Sequence, residues 1–120
     1  MSQIYLLIAA RANPAMKTYA GDRTIDGIQV TVNGEPLDPR LDLHTYTRNG
    51  FEWTYEGDES RQLALAILAD HLGDDARARA LAEPFMREVV ANFDNTWEMT
   101  AADVAAAVAA IDAASGSSAP

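Results

Sequence analysis

Gly50-Phe51-Glu52-Trp53-Thr54-Tyr55-Glu56-Gly57-Asp58-Glu59-Ser60-Arg61-Gln62-Leu63-Ala64-Leu65-Ala66-Ile67-Leu68 carries the decision about the fold, because the hydrophobic period changes inside it. Phe51, Trp53 and Tyr55 alternate with Glu52, Thr54 and Glu56, the two-residue period of a strand with one face on a core. Residues 56–60 then form a polar turn whose acids suit the start of a helix. Beyond it Leu63, Ile67 and His71 share one helical face and Leu65, Leu68 and Leu72 widen it, so this helix should be central and largely buried. Strand chemistry before this stretch and helix chemistry after it predict an α+β fold.

Upstream, Ile28, Val30 and Val32 alternate with Gln29 and Thr31, and Asn33-Gly34 follows at once. Asn-Gly favours a type I′ hairpin turn, which needs two positive φ angles. Glu35-Pro36-Leu37 is the return arm, short or at an edge because Pro36 and Pro39 cannot donate to a ladder. A further strand is expected over 41–47, with Arg48-Asn49-Gly50 as the next turn. Downstream, Gly73-Asp74-Asp75 ends the central helix, and a short helix over 76–82 should break, kink or restart at Pro84. Phe85, Val89 and Phe93, with Met86 and Val90, form an amphipathic stripe. Trp97 and Met99 are expected to be buried. Thr100 and Asp103 have capping-box spacing, with Asp in place of the usual Glu. The helix they open, with Val104, Val108 and Ile111 as its stripe, should run to about Ala113. The expected architecture is a small antiparallel sheet of three to four strands in the N-terminal half, packed against three to four C-terminal helices.

These 120 residues suit one domain, with 48% hydrophobic content and no cysteine. Residues 16–113 should form the domain, 1–15 an N-terminal extension and 114–120 a disordered Gly/Ser tail. Met16 resembles an alternative start. The apolar run Ile4-Tyr5-Leu6-Leu7-Ile8-Ala9-Ala10 is too short to span a bilayer and is preceded by no basic residue. The absence of cysteine excludes disulfides and thiolate chemistry and fits a cytoplasmic setting. Eighteen acids against nine bases give a net charge of -9. That balance argues against direct nucleic-acid binding and against anionic membranes, and favours a protein partner with a basic surface. One lysine among eight arginines, with many alanines, points to a GC-rich genome, so part of the acidity can be compositional.

Several pieces of the chain together resemble a family of small domains of unknown function from bacteria, phages, plasmids and archaeal elements. They are Tyr19-Ala20-Gly21-Asp22-Arg23, Val30-Thr31-Val32-Asn33-Gly34, the strand from Gly50 to Tyr55 and the Gln62 to Leu68 helix, with weaker likeness at 85–90 and at Trp97. The likeness runs from about Lys17 to Val108. The family's link between aromatic strand and helix is glycine-rich, a phosphate-compatible arrangement before a helix. Here it is Glu56-Gly57-Asp58-Glu59-Ser60, whose acids oppose an anion. The resemblance implies no catalytic residues.

No nucleophile elbow and no phosphate-binding glycine loop is present, and the residues imply neither a catalytic set nor a cofactor. Glu52 and Glu56, at i and i+4 of a strand, would stand ~13 Å apart at ~3.3 Å per residue, too far to cooperate in acid–base chemistry. Glu52 is expected to pair with Arg23 or Arg48 across the sheet. Trp53, Tyr55 and Trp97 read as core rather than as a stacking platform. Asp70, His71, Asp74 and Asp75 cluster at a helix end, as a solvated terminus or part of a metal site. The expected partner-binding residues are Glu52, Glu56, Asp58 and Glu59, continuous through strand and turn, with Asp70, Asp74 and Asp75 at the helix's far end.

The leading expectation is a non-catalytic acidic binding protein of a mobile element. It would block a basic, nucleic-acid-handling host complex in the manner of an anti-CRISPR inhibitor, by mimicking DNA. The alternatives are a self-associating structural or accessory module, a homodimer through Ala105, Ala106, Ala109 and Ala110, and a metal-dependent enzyme or metal-regulated module using Asp70, His71, Asp74 and Asp75.

Overall fold

Two hairpins start the structure, a computed structural model that describes residues 17–116. Strands β1 (Thr18–Thr24) and β2 (Gly27–Val32) pair antiparallel, with Tyr19 opposite Val32 and Arg23 opposite Ile28. The turn into β3 (Glu35–Pro36) places Asn33 at φ 51° and Gly34 at φ 84°, the pair of positive angles that Asn-Gly predicts. Helices α1 (Asp58–Leu72) and α2 (Asp75–Glu88) follow, then a 3-10 turn (Val90–Asn92). Strand β4 (Trp97–Thr100) returns to β1 before helix α3 (Ala101–Gly116) closes the described chain. The sheet is antiparallel throughout, in the order β3-β2-β1-β4.

The α+β architecture stands, but its strands lie elsewhere than expected. Three come from the first hairpins and the fourth, β4, from the far end of the chain. Neither 41–47 nor 51–55 is a strand. In the second segment Thr54 has φ 82°, a left-handed angle that a β-branched residue resists and that breaks strand alternation. Its backbone is satisfied by other partners: Thr54 N–H donates to the Val90 carbonyl (3.2 Å), and the Trp53 carbonyl accepts from Arg23 (3.2 Å). The Thr54 hydroxyl also donates to the Trp53 carbonyl. The first segment is held by Gln62, a fully buried amide in the first turns of α1. Its Nε2 donates to the carbonyls of Pro39 (2.8 Å) and His44 (3.0 Å), and its Oε1 accepts from the N–H groups of Tyr46 (2.8 Å) and Thr47 (3.3 Å). A loop whose polar backbone is met this way needs no ladder.

α1 is the central helix the sequence predicts: every side chain from Gln62 to Ala69 is buried. Gly73 ends it in the left-handed conformation, φ 64°. One core joins Tyr19 and Val30 of the sheet, Trp53 of the loop, the α1 leucines, Phe85 and Met86 of α2, Trp97 of β4, and Val104, Val108 and Ile111 of α3. Trp97 stacks on Phe93 (centroids 4.2 Å) and meets Trp53 edge-on (5.9 Å). Its indole lies against Gly21, where a Cβ would fall 2.2 Å from Nε1.

α2 passes through Pro84 without the expected break, as one helix from 75 to 88. The carbonyl that Pro84 leaves without a donor is that of Ala80, an exposed residue, so water can serve it. The capping box forms reciprocally: Asp103 N–H donates to Thr100 Oγ1 (3.1 Å) and Thr100 N–H to Asp103 Oδ2 (3.0 Å). α3 continues past Ala113 to Gly116, so the first residues of the expected tail are helical. The expected extension at 1–15 and the rest of the tail lie outside the described residues. Among the described residues no helix is long and apolar enough to cross a membrane.

Candidate functional site

The seven carboxylates expected to meet a partner are largely committed inside the molecule. Glu52 accepts from Arg23 (2.6 Å), one of the two pairings the sequence suggested, and the Arg23 guanidinium sits over the Trp53 ring, 4.4 Å from its centroid. Asp58 pairs with Arg61 (2.6 Å), which also holds Glu83 (2.6 Å). Glu59 accepts from the Thr47 hydroxyl (3.0 Å). Asp70 accepts from Lys17 (3.1 Å) and from the buried Tyr19 hydroxyl (2.7 Å), tying β1 to the end of α1. Asp74 caps α2 by accepting from Arg77 N–H (3.1 Å), and Asp75 faces Arg40 at 3.5 Å. Of the seven, Glu56 alone has no hydrogen bond or ion pair among the described residues. No strand underlies the acids from 52 to 59: Glu52 turns toward Arg23, Glu56 and Asp58 stand exposed, and Glu59 turns to Thr47.

These commitments shift several titrations. The Arg61 guanidinium holds the Glu83 carboxyl below the usual carboxylate range. Burial, followed by the hydrogen bond to Asp70, pushes the Tyr19 phenol far upward, so it stays a donor. Burial and then Lys17 lower the His71 imidazole, against a smaller opposite pull from Asp70. Asp70, His71, Asp74 and Asp75 do not converge, and among the described residues no group of three or more His, Asp or Glu side chains is placed to hold a metal ion. Trp53 and Trp97 are core residues, while Tyr55 projects outward.

Two acids without a cationic partner, Asp22 and Glu98, stand together on the outer face of the sheet, which sequence reading missed. Tyr19, Gly21, Val30 and Trp97 point to the core, so Ala20, Asp22, Gln29, Thr31 and Glu98 point away from it. Asp22, Gln29 and Glu98 are exposed, and Asp22 accepts from the Thr96 hydroxyl (2.9 Å). Together with Thr96 they border a shallow depression of about 460 Å³ floored by Ala20 and Gly21. No lysine or arginine occupies an outward position of these strands. Lys17, Arg23, Arg40, Arg61, Arg77 and Arg87 are each in an ion pair elsewhere. The missed signal was the alternation of Trp97, Glu98 and Met99, which makes Glu98 an outward residue once that segment is a strand. Elsewhere, Pro84, Val89, Ala107, Ala110 and Ile111 line a groove of about 570 Å³ between α2 and α3.

The chain matches the model of a family of unknown function (DUF6166) over residues 19–110, close to the stretch on which the resemblance rested. No curated protein and no solved structure matches it.

Proposed function

We propose that this chain, which belongs to the DUF6166 family of unknown function, is a non-catalytic binding protein whose acidic sheet face docks a partner with a basic surface. The observation that carries the reading is the outer sheet face: Asp22 and Glu98 border its depression with no basic side chain beside them. A rigid sheet fixes the spacing of those carboxylates, which favours recognition over diffuse attraction. The floor of Ala20 and Gly21 leaves room for the long apolar stem of an arginine or lysine, and Gln29 and Thr31 supply further hydrogen-bonding groups. The absence of cysteine suits work in the cytoplasm.

A narrower form of the reading is an inhibitor, encoded by a mobile element, that occupies the phosphate groove of a nucleic-acid-handling defence complex as an anti-CRISPR protein would. What supports it is the acid excess together with carboxylates displayed on a rigid face. The test is binding of an arginine-rich peptide, followed by anisotropy, for wild type, Asp22→Lys/Glu98→Lys and the charge-matched control Glu35→Lys/Glu88→Lys. Each variant changes the net charge equally. The sheet-face variant should lose tenfold or more, about 1.4 kcal/mol, and the control under threefold. Equal losses would mean that composition alone attracts the peptide, and the reading would fall. The narrower form adds one outcome: the protein should displace DNA from its target, and the sheet-face variant should not.

A further inference from the structure

The exposed large hydrophobic residues among those described are three, Ile25 at 102%, Tyr55 at 48% and Ile28 at 37% exposure, and each is tied to the surroundings of Arg23. Ile25 is the first residue of the two-residue turn between β1 and β2, and Ile28 faces Arg23 directly across the hairpin. Arg23 in turn stacks on Trp53, donates to the Trp53 carbonyl and to Glu52, and reaches the Asn95 side chain (3.1 Å). Tyr55 stands two residues after Trp53, whose ring and carbonyl Arg23 holds. The hairpin tip and the 51–55 loop are thus joined through one guanidinium.

Two residues in this region work against the local fold. Hairpin tips select Gly, Asn, Asp or Ser, yet Ile25 is β-branched, apolar and wholly exposed. Thr54, the residue before Tyr55, holds a left-handed φ of 82°. Scattered surface hydrophobics need no explanation. Here, though, Ile28 faces Arg23, Ile25 follows it by two residues, Tyr55 follows the tryptophan that Arg23 covers, and two positions, Ile25 and Thr54, break the local sequence rules. The display is rigid. The Thr24 hydroxyl closes the turn by bonding the Gly27 carbonyl (2.8 Å), and the Ser60 hydroxyl holds the Tyr55 carbonyl (2.7 Å). A backbone already held in place loses little further entropy on docking. The polar rim is acidic: Asp26 beside Ile25 and Glu56 beside Tyr55 have no cationic partner among the described residues, and Arg23 is already neutralised by Glu52.

We infer that Ile25, Ile28 and Tyr55 form an apolar tooth that inserts into an apolar pocket of a protein partner whose rim carries lysine or arginine. The inference rests on the binding reading above and adds a second, non-electrostatic anchor at the end of the strand that carries Asp22. Such an anchor supplies residence time, whereas the charged face supplies steering.

The experiment places the photo-crosslinker p-benzoylphenylalanine at position 25 of the full chain in its source cells and maps the crosslinked peptide. The purified partner is then titrated with wild type, Ile25→Asp, Asp22→Lys/Glu98→Lys and the control Arg79→Ala. The expected result is a crosslink to an apolar pocket flanked by Lys or Arg. Ile25→Asp should weaken binding at least tenfold with an unchanged melting temperature, and Arg79→Ala should leave it within threefold. No crosslink, a crosslink to a second copy of this chain, or a crosslink to a flat or acidic surface overturns the inference, as does unchanged affinity of Ile25→Asp. If Ile25→Asp binds normally while the sheet-face variant fails, the tooth is wrong and the acidic face stands. If the sheet-face variant binds normally while Ile25→Asp fails, the reverse holds.

Discussion

Gln62 uses all four hydrogen-bonding positions of its amide on four backbone groups of the 39–47 loop. Truncation to Ala leaves those groups unpaired beside a new cavity, and stability should fall by on the order of 3 kcal/mol in urea denaturation. Gln62→Glu separates polarity from volume. A carboxylate keeps the acceptors but presents no donor to the carbonyls of Pro39 and His44. It should therefore be destabilised at neutral pH and recover part of the loss in acid, where protonation restores one donor. A deficit relative to wild type that does not shrink in acid would refute this role. Gly21 is the second decisive position. Its Cβ would fall 2.2 Å from an indole already fixed between Phe93 and Trp53, so Trp97 cannot swing away. Gly21→Ala should cost about 1–3 kcal/mol by overpacking. Trp97→Leu should suppress most of the added cost of Gly21→Ala, which a double-mutant cycle measures. Neither role was legible in the sequence: a single Gln in a helix and a single Gly in a strand carry no mark of what lies against them.

At the scale of elements, Pro84 is the position where the chain tolerates its own defect. A helix-interior proline is about 3 kcal/mol less favourable than alanine, offset by about 1 kcal/mol of lost unfolded-state freedom. Because Ala80 is exposed and its carbonyl can reach water, part of that defect is already relieved. Pro84→Ala should raise stability by about 1 kcal/mol, read as a higher denaturation midpoint at unchanged slope. A loss would show that the proline's packing beside Val89 and Ile111 outweighs its backbone cost. Element identity was legible wherever local chemistry decided it. Asn33-Gly34 specified its turn, the crowded leucines specified α1, and Thr100 with Asp103 specified the start of α3. Illegible were the elements decided by distant partners. β4 has four residues and exists because β1 offers an edge. The 51–55 segment alternates as a strand should, yet it is held as a loop by Arg23, Val90 and the helix behind it. That single misreading also displaced the candidate site, since the acidic face expected on 52–59 required a strand beneath it, while Asp22 and Glu98 lay on strands of their own.

Over the whole molecule, stability should fall with pH in two steps that belong to different groups. Burial and Lys17 lower the pKa of His71 in the folded state from its ordinary value of about 6.5. Between the folded and unfolded values the unfolded chain binds more protons, so stability is full above that window, declines as pH falls through it, and levels off once the folded His71 is itself protonated. Glu83 is shifted downward by Arg61, so its contribution is present above the ordinary carboxylate value and is lost as pH drops through the lower folded value. The two windows open at different pH, because an imidazole and a carboxylate begin about two units apart. Urea midpoints from roughly pH 7.5 to 3 at fixed ionic strength should therefore begin to decline through the imidazole window and decline further through the carboxylate window. His71→Gln should erase the first decline and leave the second, whereas Arg61→Met should weaken the second and leave the first. The net charge of -9 superimposes a smooth gain as carboxylates neutralise and self-repulsion eases, and raising salt reduces that background without moving either window. A first decline that survives in His71→Gln would assign it to another group and remove the link between the packing of the α1 terminus and the acid sensitivity of the domain.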